Sequence, residues 1–237
     1  MIADYEGDVR HLFEAPVNGK MPILATRNLV LFPGVVTPVL IGRQKSRKLV
    51  EKLEKSPSAL MAVICQRDPD VEDPGGKDLF TYGVAARIIR VLDMPGQEDR
   101  ITVIVQSLGR IILKKIVRQN PYLIGEVESA PEEIASLKDT EYSAAIEDMK
   151  RASIEYIKKN EDIPDEAQFA VNNITNDVIV ANFLCSSLPI ELDEKMMLLE
   201  KNSTKERVFS LLKILYRATQ LEQIKQNIRL KTREDID

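Results

Sequence analysis

Nucleophilic catalysis of the Ser-His-Asp or Cys-His kind needs a base held beside its nucleophile, and this 237-residue chain has one histidine, His11, in an acidic leader with Asp4, Glu6 and Asp8. A leader residue has no scaffold to preorganise it for such work. The two cysteines, Cys65 and Cys185, each lie in an apolar segment. With a single histidine they cannot supply the three or four convergent ligands that zinc prefers, and we read them as buried, reduced thiols rather than a disulfide framework. Gly75-Gly76-Lys77-Asp78 resembles a phosphate loop only in part: Asp78 replaces the required Ser or Thr, and Val71 stands where the first glycine belongs. The carboxylate pairs Asp68/Asp70 and Glu132/Glu133 fall in loops or at a helix start, where they are solvated or complement the helix dipole. No serine has a nucleophile-elbow context, and a Ser-Lys dyad would depend on proximity that no local motif reveals. We therefore expect no catalytic, cofactor or metal site, and what remains is a binding surface.

The elements that would carry this surface change character near Ala130-Pro131. Before it, short runs rich in β-branched residues read as strands: Pro22–Thr26, Thr37–Ile41, Ala59–Cys65, Tyr82–Asp93, Ile101–Leu108, Arg110–Val117 and Tyr122–Ser129. Met94-Pro95-Gly96 opens a hairpin loop, and Asp68-Pro69 with Asp73-Pro74-Gly75-Gly76 marks an exposed loop over 67–78. One helix, Lys45 to Lys55, interrupts the strands, with Leu49, Val50 and Leu53 on a single face. After the boundary the period becomes helical: one helix over Tyr142–Lys159, then a centrally buried helix carrying Phe169, Val171, Ile174, Val178, Ile179, Phe183 and Leu184 up to Leu188-Pro189, then a short helix at Glu194–Glu200.

The last helix opens with the capping box Ser203-x-x-Glu206. Past Thr219 its apolar stripe thins to Leu221, Ile224 and Ile228, a narrow coiled-coil seam in a background of Gln, Lys and Arg. Because no C-capping glycine or proline follows, the expectation is that this helix continues in a longer protein, the alternative being a frayed, solvated end.

The most informative stretch is the proline-punctuated apolar connection between the first two strands. Pro33-Gly34 marks a turn, and Pro38 sits where only an edge strand or a strand start tolerates it. Leu29, Leu31 and Phe32 must either close over a core or, where exposed, grip a partner chain, each apolar side chain contributing ~1.5–3 kcal/mol when fully desolvated. The basic helix start, Arg43, Lys45, Arg47 and Lys48, either steers acidic partner surfaces or is a solvated face.

The order Pro22-Ile23-Leu24, Arg27-Asn28, Val30-Leu31-Phe32-Pro33, Pro38 and Gly42-Arg43 closely resembles the opening of the amino-terminal domain of Lon, the ATP-dependent protease family of bacteria and organelles. The likeness continues through Asp78–Ile88, Ile104–Arg110, Leu188-Pro189 and Leu192–Lys195 and covers nearly the whole chain from Met21. The resemblance implies a non-catalytic fragment that helps select unfolded or damaged protein substrates and supports assembly of a homohexamer. It also implies that ATP and magnesium bind in a downstream AAA+ module, followed by a Ser-Lys protease domain, neither of which is present in these residues.

Composition agrees with a soluble globular protein: 44% hydrophobic, 30% charged, and no apolar run near the ~20 residues that span a bilayer. The first residues are too acidic for a targeting peptide, so no membrane partner and a cytoplasmic location are expected. Net charge is −4, divided as −2 over residues 1–20, +4 over 21–128 and −6 over 129–237. Trp is absent and no aromatic residues interleave with Arg or Lys as a stacking platform, which argues against nucleic acid as the partner.

The expected architecture is α+β: a flexible leader (1–20), a β-rich pseudo-barrel domain with one helix (21–130), a helical bundle (131–219), and the start of a coiled-coil extension of the last helix (220–237). The rival readings are a freestanding β-rich module for a small ligand or RNA, and a purely structural oligomerisation element acting through Leu221, Ile224 and Ile228.

Overall fold

A computed structural model describes residues 17–56, 58–93, 96 and 100–234; His11, the leader up to residue 16 and most of the Met94–Asp99 loop lie outside them. The fold is α+β, and its described residues divide into two compact units. One runs to Glu132 and includes Leu192–Glu200; the other comprises Glu133–Glu191 and the residues from Lys201 onward.

The first unit is built on six strands, β1 (Asn18–Thr26), β2 (Val36–Ile41), β3 (Leu60–Cys65), β4 (Tyr82–Asp93), β5 (Ile101–Arg118) and β6 (Ile124–Ser129). They follow the order β2-β5-β4-β3-β1-β6, and β6 pairs again with β5. Hydrogen bonding thus runs around a ring of five strands, with β2 attached outside it. Only β1 and β3 pair in parallel. Register shifts interrupt both the β4–β5 and the β5–β6 ladders, bending β5 round the ring. The result is a pseudo-barrel rather than a regular one. Ile23, Ile64, Ala85, Ile111 and Val127 fill its interior, and helix α1 (Gln44–Glu54) buries Leu49, Val50 and Leu53 as its spacing predicts.

Three details differ from the sequence expectation. Strand β1 begins at Asn18, inside the stretch read as a leader, because residues 18–22 find backbone partners along β6. The two runs either side of Gly109 are one 18-residue strand, β5, which changes partners there without breaking: residues 101–106 pair with β2 and 111–118 with β6. Helix α5 (Leu192–Glu200) belongs with the β-rich unit. Arg110, fully buried, draws it in by donating from Nη1 to the Leu199 carbonyl at 2.8 Å and from Nη2 to the Pro131 carbonyl at 3.1 Å. Its Nε faces the Glu132 carboxylate at 3.2 Å. The cation thereby meets the negative end of the α5 dipole.

The second unit holds α2 (Thr140–Lys159), α3 (Glu166–Asn173), α4 (Asp177–Ser187) and α6 (Thr204–Glu234). Asp139 caps α2 by accepting from the Glu141 and Tyr142 amides at 3.0 and 3.2 Å. Helix α6 starts one residue after Ser203, whose carbonyl takes the Arg207 amide at 3.0 Å, so Ser203 holds the capping position that its motif predicts. The single helix expected around Phe169–Leu184 is two, because Asn176 turns its side chain back to accept from the Val178 and Ile179 amides, both at 3.1 Å, and starts α4 afresh. Phe169 falls on the outer face of α3, 71% exposed, and is not a core residue. Arg207 is buried and donates to Asn182 Oδ1 at 2.9 Å and the Lys201 carbonyl at 3.2 Å. Among the described residues no helix is long and apolar enough to cross a membrane.

The ring closes tightly at Gly83, where an added Cβ would lie 2.4 Å from the Val63 carbonyl oxygen, a backbone atom that cannot yield. Gly83→Ala is expected to lower stability by about 1–3 kcal/mol, read as a reduced urea midpoint at unchanged slope. Gly42→Ala, where the nearest atom is Arg100 Cγ at 3.9 Å, serves as the near-neutral control.

Candidate functional site

Among the described strands β2 pairs with β5 alone, and its other edge faces a groove of about 990 Å³. One wall is the second half of β1, from Ile23 to Thr26, and the other is β2 from Pro38 to Ile41. The amino-terminal turn of α1, the loop Glu72–Pro74, Arg100 and the Tyr122-Leu123 corner complete it. Alternation along β2 decides what the groove receives: Val39 and Ile41 turn into the core, while Leu40 turns outward, 56% exposed.

Arg43 anchors one end. Its Nη1 donates to the Ala25 carbonyl of β1 at 3.4 Å, and its Nη2 to Gln66 Oε1 and, at 3.3 Å, to the Val71 carbonyl. Gln66, fully buried, donates in turn to the carbonyls of Asp68 and, at 3.0 Å, Val71. These bonds tie the loop over 67–78 to the groove. Burial, and then the like charge of Arg27, lower the pKa of the Arg43 guanidinium, against the opposing pull of Asp73 and Glu72. Lys45 reaches Asp73 at 2.7 Å, an exposed pair that adds little stability but fixes where both charges stand.

Of the residues singled out in the sequence, the structure brings Leu29, Arg43 and Lys45 to this groove. Leu31 and Phe32 are 3% and 0% exposed and lie in the core. The reason is the turn at Pro33-Gly34, where the Gly34 amide donates to the Ser107 carbonyl and Ser107 returns a bond to Val35, both at 3.0 Å, folding the connection under β5. Arg47 and Lys48 lie further along α1 and do not line the groove. Leu221, Ile224 and Ile228 stand on α6 of the other unit, 50%, 53% and 59% exposed. The phosphate-loop resemblance resolves into one 3-10 turn over Gly76–Asp78, in which Asp78 Oδ2 already accepts the Gly75 amide at 2.8 Å. Both cysteines are buried free thiols, and burial pushes the Cys65 thiol up, which makes it a poor nucleophile. Sequence reasoning passed over Gln66, which no pattern marks, and Leu40, which the Val39-Leu40-Ile41 alternation would have placed outward.

A mixed sheet joined to a helical unit ending in a 31-residue helix defines the class of amino-terminal domains found in two solved structures. The N-terminal domain of Mycobacterium avium complex Lon protease superposes with a TM-score of 0.60 at 21% identity, covering 85% of this chain and 98% of that one. A Lon N-terminal domain protein from Xanthomonas campestris gives 0.52 at 16% identity, covering 81% and 96%. In sequence, the chain is 39% identical over 221 residues to the Lon protease of Parabacteroides distasonis, covering 93% of this chain and 26% of that protein. It is 36% identical over 224 residues to the Lon protease of Flavobacterium johnsoniae, covering 94% and 27%. Residues 20–217 match the family described as ATP-dependent protease La (LON) substrate-binding domain, and the chain belongs to that family. It spans about a quarter of the length of these curated relatives.

Gln66→Ala would remove a partner of the partly buried Arg43 head and free the following loop. The expected result is a loss of about 1–3 kcal/mol with faster amide exchange over residues 67–78. Lys45→Ala, at the exposed pair, should change stability by less than about 1 kcal/mol.

Proposed function

We propose that this chain is the part of an ATP-dependent Lon-type serine protease that holds segments of unfolded or damaged proteins, and that it takes part in assembling a homohexamer. The observation that carries this reading is the open groove beside β2. It has an apolar floor, in Leu29 and Leu40, and its far end is fixed by Arg43. Such a surface buries apolar side chains of a chain that has lost its own fold, whereas a native protein keeps those side chains inside. ATP, magnesium and the bond-breaking Ser-Lys chemistry belong, on this reading, to other parts of a longer protein working in the cytoplasm. The exposed seam Leu221, Ile224 and Ile228 suits contact with a second helix, through which neighbouring subunits pack.

A single copy should bind unfolded chains weakly, since a ring of subunits supplies avidity that one subunit lacks. Photocrosslinking of the 237-residue chain to a denatured model protein, with the same protein in native form as control, is expected to label the denatured form preferentially. Equal labelling of both would remove the basis for the reading. Measurable ATP hydrolysis or casein cleavage by the pure chain would contradict the assignment of chemistry to other parts of the protein.

A further inference from the structure

The backbone of β2 is half satisfied. Val35 accepts the Ser107 amide at 3.0 Å, and the antiparallel register that follows, Thr37↔Val105, Val39↔Val103 and Ile41↔Ile101, spends those residues' backbone groups on β5. In an antiparallel ladder the alternate residues point the other way, so Val36, Pro38 and Leu40 direct their carbonyls, and Val36 and Leu40 their amides, to the free edge. Pro38 has no amide to lose there, which is why proline is tolerated at this position. No described strand pairs with that edge.

Charge is unevenly placed along it. Arg27, Arg43 and Arg100 gather at the Ile41-Gly42 end of the groove with Lys45, against Glu72 and Asp73, and Lys45 already occupies Asp73. Burial first, and then repulsion from Arg27, lower the pKa of Arg43, whose Nε is buried without a hydrogen-bond partner. An excess of positive charge held in this way favours an anionic neighbour. Next to that end, at Leu40, the edge is apolar.

Building on the holding function proposed above, we propose that the free edge of β2 takes up an extended polypeptide segment as an added strand. The segment is apolar opposite Leu40 and acidic at the arginine-lined end. Six residues of β2 span about 20 Å, so the segment read is about six residues long. Pro38 limits the ladder to a short one, in keeping with an edge that must release its guest and must not pair without limit. Main-chain bonds supply affinity that ignores side-chain identity, and the groove adds the apolar and acidic preference. That combination suits recognition of many unfolded chains.

The test uses the 237-residue chain and a fluorescent ten-residue peptide of valine and threonine with two terminal aspartates, followed by anisotropy and by amide exchange resolved at Leu40. Binding should slow exchange of the Leu40 amide at least tenfold. A peptide N-methylated at alternate residues, and the variant Leu40→Pro, which removes an edge amide that β5 does not use, should each bind at least fivefold more weakly. Replacing both aspartates by lysine should weaken binding, and Arg27→Glu with Arg100→Glu should reverse that preference. Full affinity of the N-methylated peptide, or an unchanged Leu40 amide at saturation, overturns the added strand. So does a Leu40 amide already protected in the free chain and released on deleting residues 1–16, or on dilution, since the chain's own leader or a second copy would then hold the edge. No peptide binding while denatured protein is still crosslinked sinks the edge proposal and leaves the holding function standing; loss of both removes both.

Discussion

The structure of the first unit depends on one strand serving three partners. Strand β5 is long enough, at 18 residues, to pair with β4, to hand its first third to β2 and to give residues 111–118 to β6. Pairing with β6 closes the ring. Pairing with β2 places a strand outside that ring, satisfied on one edge and, among the described strands, open on the other. The groove is therefore a consequence of sheet topology and not of a loop that happens to gape. Its position is held by backbone bonds buried in the core beneath, where Val39, Ile41, Val103 and Val105 exclude water from the β2–β5 ladder.

Around this frame, one buried and one partly buried cation do the positioning. Arg43 and Arg110 each have their guanidinium in contact with backbone carbonyls, and each ties down a neighbouring segment: the loop over 67–78 for one, and for the other helix α5, which also buries Met196, Leu198 and Leu199. A planar, permanently charged head with five donors suits this work, since it can bridge several carbonyls from one point. Removing either head would leave buried acceptors unpaired, so these arginines specify structure through the cost of their absence.

Much of this was legible in the chain. Alternation of β-branched residues located β2, β3, β4 and β6 almost to the residue, and Pro38 announced an edge strand. The capping box at Ser203 located the start of α6 and the 3.6-residue period located α2, whose cap at Asp139 the structure added. What stayed hidden was non-local. Nothing in Asn18-Gly19-Lys20 reveals a strand until β6 lies beside it, and Gly109 looks like a break until β5 is seen to change partners there. Leu31 and Phe32 share their composition with a docking surface, and only the Gly34–Ser107 bonds turn them inward. Of the candidate site, Arg43, Lys45 and Leu29 were found by charge and hydrophobicity. Gln66 was not, because a buried amide that joins an arginine to a loop has no sequence period.

The chain belongs to the Lon substrate-binding family, and the edge of β2 is the surface on which the proposed holding of unfolded chains rests. The most direct test is a map of backbone amide shifts for the isotope-labelled chain titrated with a permanently unfolded protein. The account predicts that the changes cluster along the groove, at Leu29, Leu40 to Arg43 and Tyr122. Changes confined to the Leu221–Ile228 stretch of α6, with the groove silent at saturation, would contradict it.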